Sequence, residues 1–360
     1  MANFFDLYDW DSVIQMLPRQ SYVINGYHKI LSPNYPVFLD KYIEIPLLQR
    51  LKGVGLLCGT DWTNLYRNRF YYSRLDHSIG VALIIWHFTQ DMAQTIAGLL
   101  HDVSTPVFSH VQDFRKGDEK TQTSTEDLNR EMIRNDKLLR LLLESDGLTV
   151  EQVENYHNYP IADNEIPQLS ADRLEYMFPS GMVLEGKWTL DEIQAIYNDI
   201  VILHNEEFLP ELGFKTIEIA EKYCKNFCIT GHMLQLNENK LTLKLLSDIM
   251  QLALDEGILK EDDFMKLSET EVMERIQNVG SERFRSMLKT FKTMEHIEHT
   301  DEPLNGYYCV NLDVKQRYIN PLVQVDGGIA RLTEVSEKAR QIVDDFLTFE
   351  DKKYGCVKLV

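Results

Sequence analysis

Arg74-Leu75-Asp76-His77-Ser78 and, 24 residues beyond that histidine, His101-Asp102-Val103-Ser104-Thr105-Pro106-Val107-Phe108-Ser109-His110 decide the fold. Between them runs Ile79-Gly80-Val81-Ala82-Leu83-Ile84-Ile85-Trp86, an apolar stretch that predicts a buried helix. Ala93, Ile96, Ala97 and Leu100 then recur at steps of three and four residues and predict a second helix. His77 opens the first helix and His101-Asp102 closes the second, so packing the two brings two imidazoles and a carboxylate together inside an apolar core. An adjacent buried His-Asp pair needs compensating charge, and a divalent cation supplies it. Two nitrogen donors and one oxygen suit a borderline divalent transition metal and leave coordination positions open. Leu169 to Tyr176 offers one more oxygen, from Asp172 at the start of an amphipathic turn. The predicted ligand set is His77, His101, Asp102 and Asp172, for one divalent ion: iron, manganese, zinc, nickel or magnesium. His110 and His157 leave open a second ion.

The motifs Arg74-x-x-His77-Ser78, His101-Asp102-x-x-x-Pro106-x-Phe108-Ser109-His110 and Asp172-Arg173-x-x-Tyr176, with the upstream Leu47 to Lys52, resemble the HD superfamily of metal-dependent phosphohydrolases. Within it they are most similar to the deoxynucleoside triphosphate triphosphohydrolase branch. The resemblance implies an all-α fold with an HD-type helical core, and a homo-oligomer. It implies that Arg74, Arg173 and Tyr176 grip substrate phosphates, a task suited to arginine's planar fork. Arg74 lies one helical turn before His77; the simpler alternative is that it pairs with Asp76 or another carboxylate. The resemblance also matches His110, Asp113 and Glu126 to residues lining the family's active site. His110 and Asp113 are three apart and share a helix face. A carboxylate there raises the histidine's pKa and sets its tautomer, as expected of a proton donor, while helix capping is the alternative role for Asp113.

Departures from the family pattern shape the expected substrate. Thr105 stands where many members carry a second histidine, and Thr125 where they carry a catalytic one. Ile200 takes the place of a triphosphate-binding arginine, and Leu56 falls near a sugar-contacting glutamine. A metal-dependent phosphohydrolase acting on a nucleotide or phosphate ester with fewer phosphates than a triphosphate is therefore expected. The alternative is a degenerate member that binds metal and nucleotide for regulation.

With 360 residues, 44% of them hydrophobic, the chain has enough material for one large core or two smaller ones. Its formal net charge of −19 argues against binding nucleic acid through backbone phosphates, and also makes any arginine near the metal group informative. The N-terminus lacks a basic and apolar leader and no stretch is long enough for a membrane span, so the cytoplasm is the default compartment. Five scattered cysteines predict reduced thiols.

Three regions are expected: an HD-type core with an N-terminal pocket wall over 1–185, a helical extension over 186–300, and a small strand-containing α+β element over 301–360. Residues up to about 75 predict short helical and irregular pieces. Lys116 to Ser124 predicts a loop over the site, followed by a helix through Leu128, Met132, Leu138 and Leu142. The pattern then reads as helical from Gly181 almost to residue 295, with capping boxes at Thr189-Leu190-Asp191-Glu192 and Ser268-Glu269-Thr270-Glu271. Gly306 to Val310 and Tyr318 to Val325 predict strands, and Thr333 to Phe346 a last helix. Cys224 and Cys228 predict core packing rather than a metal site, and His296 and His299 solvated positions on a charged helix.

Overall fold

The computed structural model describes residues 10–66, 68–117, 126–185 and 188–360, apart from the side chains of 10–20, 126 and 185. Ser73 starts the first site-bearing helix with a capping box: its hydroxyl accepts from the Asp76 amide, and the Asp76 carboxylate accepts from the Ser73 amide. A 22-residue helix, α1 (Trp10–Leu31), precedes this helix, α2 (Arg74–Thr89), and packs against it. The N-terminal region is thus more regular than its sequence predicts. Gln90 in a left-handed conformation ends α2, and Asp91 caps α3 (Met92–Leu100) by accepting from the Gln94 amide. So short a connection forces α2 and α3 antiparallel, which sets the start of α2 beside the end of α3. They approach closely because residue 98 is glycine; a Cβ there would lie 2.3 Å from Ile85 Cδ1.

Beyond the pair lie α4 (Val111–Lys116), α5 (Glu126–Asn135), α6 (Lys137–Ser145), α7 (Ala171–Ser180) and α8 (Leu190–Tyr197). Asp136, which caps α6, divides the single helix expected through Leu142. Most of the loop expected over the site lies outside the described residues.

Helix does not continue through the next segment. A hairpin of β1 (Ile200–His204) and β2 (Pro210–Phe214) interrupts it, and residues 211–214 of β2 are buried without alternation. Ile200, at helical spacing from Ile193, Ile196 and Tyr197, sits instead on β1. Asp199 holds the hairpin's base: its carbonyl accepts from the Lys215 amide and its carboxylate from the Thr216 amide. Then come α9 (Ile217–Met233), α10 (Asn237–Asp255), α11 (Glu269–Arg275) and α12 (Glu282–Thr293). The predicted caps on α8 and α11 are both present.

β3 (Glu298–Thr300), β4 (Tyr308–Val310), β5 (Leu322–Val325), β6 (Gly328–Arg331), α13 (Glu337–Thr348) and β7 (Tyr354–Val357) complete the chain. β5 pairs parallel with β2, giving a four-stranded sheet β1-β2-β5-β6, and β3-β7-β4 form an antiparallel sheet of three. The fold is mostly helical with two sheets. The predicted last helix is broken at Ser336, which caps α13 through its hydroxyl. Cys309 on β4 and Cys356 on β7 stand directly opposite, Cα atoms 4.1 Å apart, and are disulfide-bonded. The expected set of five thiols is therefore three: Cys58, Cys224 and Cys228. Sheet pairing supplies the proximity that 47 residues of intervening sequence conceal.

Candidate metal centre

The α2–α3 pair delivers what its sequence spacing predicts. His77 Nε2 and His101 Nε2 lie 3.2 Å apart, and Asp102 Oδ2 lies 3.8 and 3.5 Å from them. α7 packs on α2, and Asp172 Oδ1 reaches within 3.2 Å of His77 Nε2 and 3.8 Å of His101 Nε2.

The surrounding bonds fix which ring atoms face inward. His101 Nδ1–H donates to the Gly98 carbonyl at 2.7 Å, and His77 Nδ1–H donates to the Glu175 carboxylate. Both Nε2 atoms are left facing the two aspartates, where they would offer lone pairs once an ion replaces a proton. Glu175 is fully buried and also accepts from the Tyr72 hydroxyl at 2.6 Å. Its place depends on Gly80, where a Cβ would lie 2.3 Å from Glu175 Oε1. Glu175 is not among the residues expected at the site, although its spacing of three from Asp172 on an apolar helix is a usable signal.

Thr105 has a different task from the histidine it replaces: its hydroxyl donates to Asp102 Oδ1 at 2.8 Å. Arg74 bonds the other oxygen, Oδ2, at 2.7 Å and Ser109 Oγ at 3.1 Å. Of the roles weighed for Arg74, pairing with a carboxylate is thus realised, and the partner is Asp102 rather than Asp76. Arg50 reaches across to the Val103 and Thr105 carbonyls at 2.6 and 2.7 Å and holds the turn that follows Asp102. In that turn Phe108 and Ser109 both have positive φ, a conformation costing non-glycine residues about 1–3 kcal/mol each. It aims Ser109 at Arg74 and places His110 at the N-cap of α4.

Burial opposes charge on His77, but Glu175 and Asp172 outweigh it and push its pKa up to about 10. Burial also opposes charge on Asp102, yet Arg74, His101 and His77 hold it well below the usual carboxylate range. Asp172 is lowered in the same sense by the two histidines. A proton on His77 thus balances carboxylates that a divalent cation would otherwise balance, and the inward-facing Nε2 atoms and oxygens fit such an ion once that proton leaves.

Residues 74–177 match the family model of the HD domain. That stretch is thus similar to an HD domain. Over 305 residues it is 26% identical to the uncharacterized protein YdhJ of Bacillus subtilis, covering 84% of this chain and 89% of that one. It is 24% identical over 165 residues to the metal-dependent phosphohydrolase cns2 of Cordyceps militaris, 46% of each chain. Among solved structures, a hypothetical protein from Aquifex aeolicus superposes with a TM-score of 0.60 at 16% identity, covering 90% of this chain and 92% of that one. A phosphohydrolase from Bacteroides thetaiotaomicron gives 0.59 at 13% identity, covering 89% and 96%. At these identities the structural likeness speaks for the fold alone.

The four predicted ligands open onto a cavity of about 520 Å³. His110 and Asp113 line it together, with His110 Nδ1 bonded to the Asp113 carboxylate at 2.8 Å. Asp113 raises the His110 pKa as expected, but burial is the larger effect and Arg74 and Arg317 add to it, so the net shift is downward. His157 stands on another wall, bonded to Asp163 at 2.8 Å, next to Tyr156, whose ring packs 5.1 Å from that of His101. Arg173 and Tyr176 line the cavity too, but Arg173 is bonded to Asn164, the Gln168 carbonyl and Asp163. Leu56 lines the wall, whereas Ile200 is buried in the core. Glu126 opens α5, with its side chain outside the described residues, and Thr125 lies outside them altogether.

Lys315 and Arg317 also reach the cavity, from a segment whose sequence carried no signal for it. Cys224 and Cys228 pack in the core as expected. His299 is on β3 rather than a helix and lies between Glu238, 2.9 Å from Nε2, and Asp351, 3.3 Å from Nδ1.

Proposed function

We propose that this chain is a metal-dependent phosphohydrolase that cleaves a nucleotide or related phosphate ester carrying fewer phosphates than a triphosphate. The observation that carries the proposal is the convergence of two Nε2 atoms and two aspartate oxygens at the floor of a cavity with arginines in its walls. His77, His101, Asp102 and Asp172 would hold a divalent ion, which supplies Lewis acidity and makes a water nucleophilic near neutral pH. The phosphohydrolase named among the relatives supports the same reaction class.

The chain's own residues account for the rest. Hydrolysis forms a bond from a water oxygen to phosphorus, breaks the ester P–O bond, and moves a proton from the water to the leaving oxygen. His110 is oriented by Asp113 and its lowered pKa keeps it neutral at neutral pH, which suits taking up that proton first. Arg173 and Tyr176 offer N–H and O–H donors to phosphate oxygens. The preference for fewer phosphates rests on the sequence departures alone, since Ile200, matched to a triphosphate-binding arginine on an expected helix, lies on β1 in the core and not in the cavity wall.

A panel of nucleoside mono-, di- and triphosphates and simple phosphate monoesters, assayed with iron, manganese, zinc, nickel and magnesium and resolved by product, tests this. Faster turnover of the shorter phosphates is expected. Release of intact tripolyphosphate from deoxynucleoside triphosphates as the best reaction overturns the substrate preference. Absence of turnover with metal bound and nucleotide affinity measurable favours the regulatory alternative.

A further inference from the structure

The chain has a formal charge of −19, yet the cavity above the predicted ligands collects five cations: Arg74, Arg130, Arg173, Lys315 and Arg317. Two of them belong to the HD motifs. Arg130 stands on α5, and Lys315 and Arg317 arrive on an eleven-residue strap, 311–321, which has neither helix nor strand and links β4 to β5.

The strap is held firmly against the body of the protein. Gly231 of α9 lets it approach; a Cβ at that position would lie 2.2 Å from the Arg317 carbonyl oxygen. Ile319 is fully buried, and the Asn320 amide donates to the Pro167 carbonyl at 2.8 Å. Arg317 then extends over the Tyr176 ring, its guanidinium carbon 5.8 Å from the ring centre. An arginine fork laid on an aromatic face is pre-organised to bind planar oxyanion edges.

We propose that Lys315 and Arg317, with Arg173 and Tyr176, form a phosphate-binding subsite carried by this strap, beside the metal cluster, that grips a phosphoryl group of the substrate. Six carboxylates line the same cavity, but Lys315, Arg317 and Arg173 stand near enough to repel one another, and an anion held among them relieves that repulsion. Burial pushes the Lys315 pKa down, and repulsion from Arg317 and Arg173 pushes it the same way, against the pull of Asp163 and Asp172. The subsite rests on the phosphohydrolase reading and deepens it. The grip attributed to the HD motifs alone is spread over them and the strap.

Calorimetric titration of the metal-loaded full chain with inorganic pyrophosphate tests the subsite. Lys315→Gln/Arg317→Gln should weaken binding by about ten- to a hundredfold, as expected for losing charged hydrogen-bond partners, with metal content unchanged. Equal affinity of that variant and the parent, or no pyrophosphate binding by the parent, overturns the subsite. Should the double variant lose its far-ultraviolet signature, Arg317→Lys decides: it keeps the charge and loses the fork, so severalfold weaker binding supports the subsite and unchanged binding overturns it. Strap-dependent pyrophosphate binding without turnover of any ester leaves the subsite standing and removes the phosphohydrolase reading. Turnover with KM indifferent to the strap does the reverse.

Discussion

Replacing Glu175 with glutamine takes one charge out of the interior and leaves the shape of the core almost unchanged. In the native chain that carboxylate is fully buried, accepts from the Tyr72 hydroxyl at 2.6 Å, and receives the His77 Nδ1 proton. Those bonds hold the ring so that Nε2 faces Asp102 and Asp172. Glutamine can present its amide nitrogen as readily as its oxygen, which no longer dictates the tautomer, and it withdraws the charge that makes the imidazole a better donor. Loss of such an outer partner typically weakens metal binding by about 10–100-fold, which is about 1.4–2.7 kcal/mol. Gly80→Ala should act in the same direction from the neighbouring helix, since its methyl group would occupy the space of the Glu175 side chain. Tyr72→Phe removes one bond and keeps the charge, so its effect should be nearer 1 kcal/mol. Metal affinity is measured by competition with a chromophoric chelator, with circular dichroism confirming the fold. A folded Glu175→Gln protein that binds metal as tightly as the parent would refute this account of His77.

Arg50→Met leaves two carbonyls at Val103 and Thr105 without their donor and should lower unfolding free energy by about 2–4 kcal/mol in urea titration. Asp113→Asn removes the anion bonded to His110 Nδ1 and should lower the His110 pKa further, seen as a downward shift of its imidazole resonance in NMR titration. At the second sheet, Glu238 and Asp351 raise the His299 pKa above 6.5 against the opposing effect of burial. That contribution to stability is fully present below pH 6.5 and is lost as pH rises through the raised value, so thermal melts of His299→Ala should show a flatter pH dependence in that window. Denatured, unreduced chain should titrate three thiols, and five after reduction.

The parts of this molecule legible in its sequence are those built from short-range pattern. The α2–α3 pair was readable because an unbroken apolar run and a three-to-four-residue repeat have no other stable packing, and its short connection dictates where His77 and His101-Asp102 meet. Asp172 was readable as the first polar residue of the helix that packs there. The β1–β2 hairpin was not, because Ile200 continues the helical spacing of Ile196 and the buried strand β2 shows no alternation. The Cys309–Cys356 pair and the cations of the strap depend on sheet pairing and on a chain path without regular structure, which leave no periodic trace. Burial, too, is decided in three dimensions: His110 sits where desolvation exceeds the influence of Asp113, and spacing along the helix carries only the second of these.

The central claim is that His77, His101, Asp102 and Asp172 hold one divalent ion. Elemental analysis of the purified protein beside its His101→Ala/Asp102→Ala variant, both confirmed folded, tests it most directly. About one equivalent of metal per chain in the parent and almost none in the variant is the expected result, since two of four ligands are gone. Equal metal content in the two proteins would contradict it.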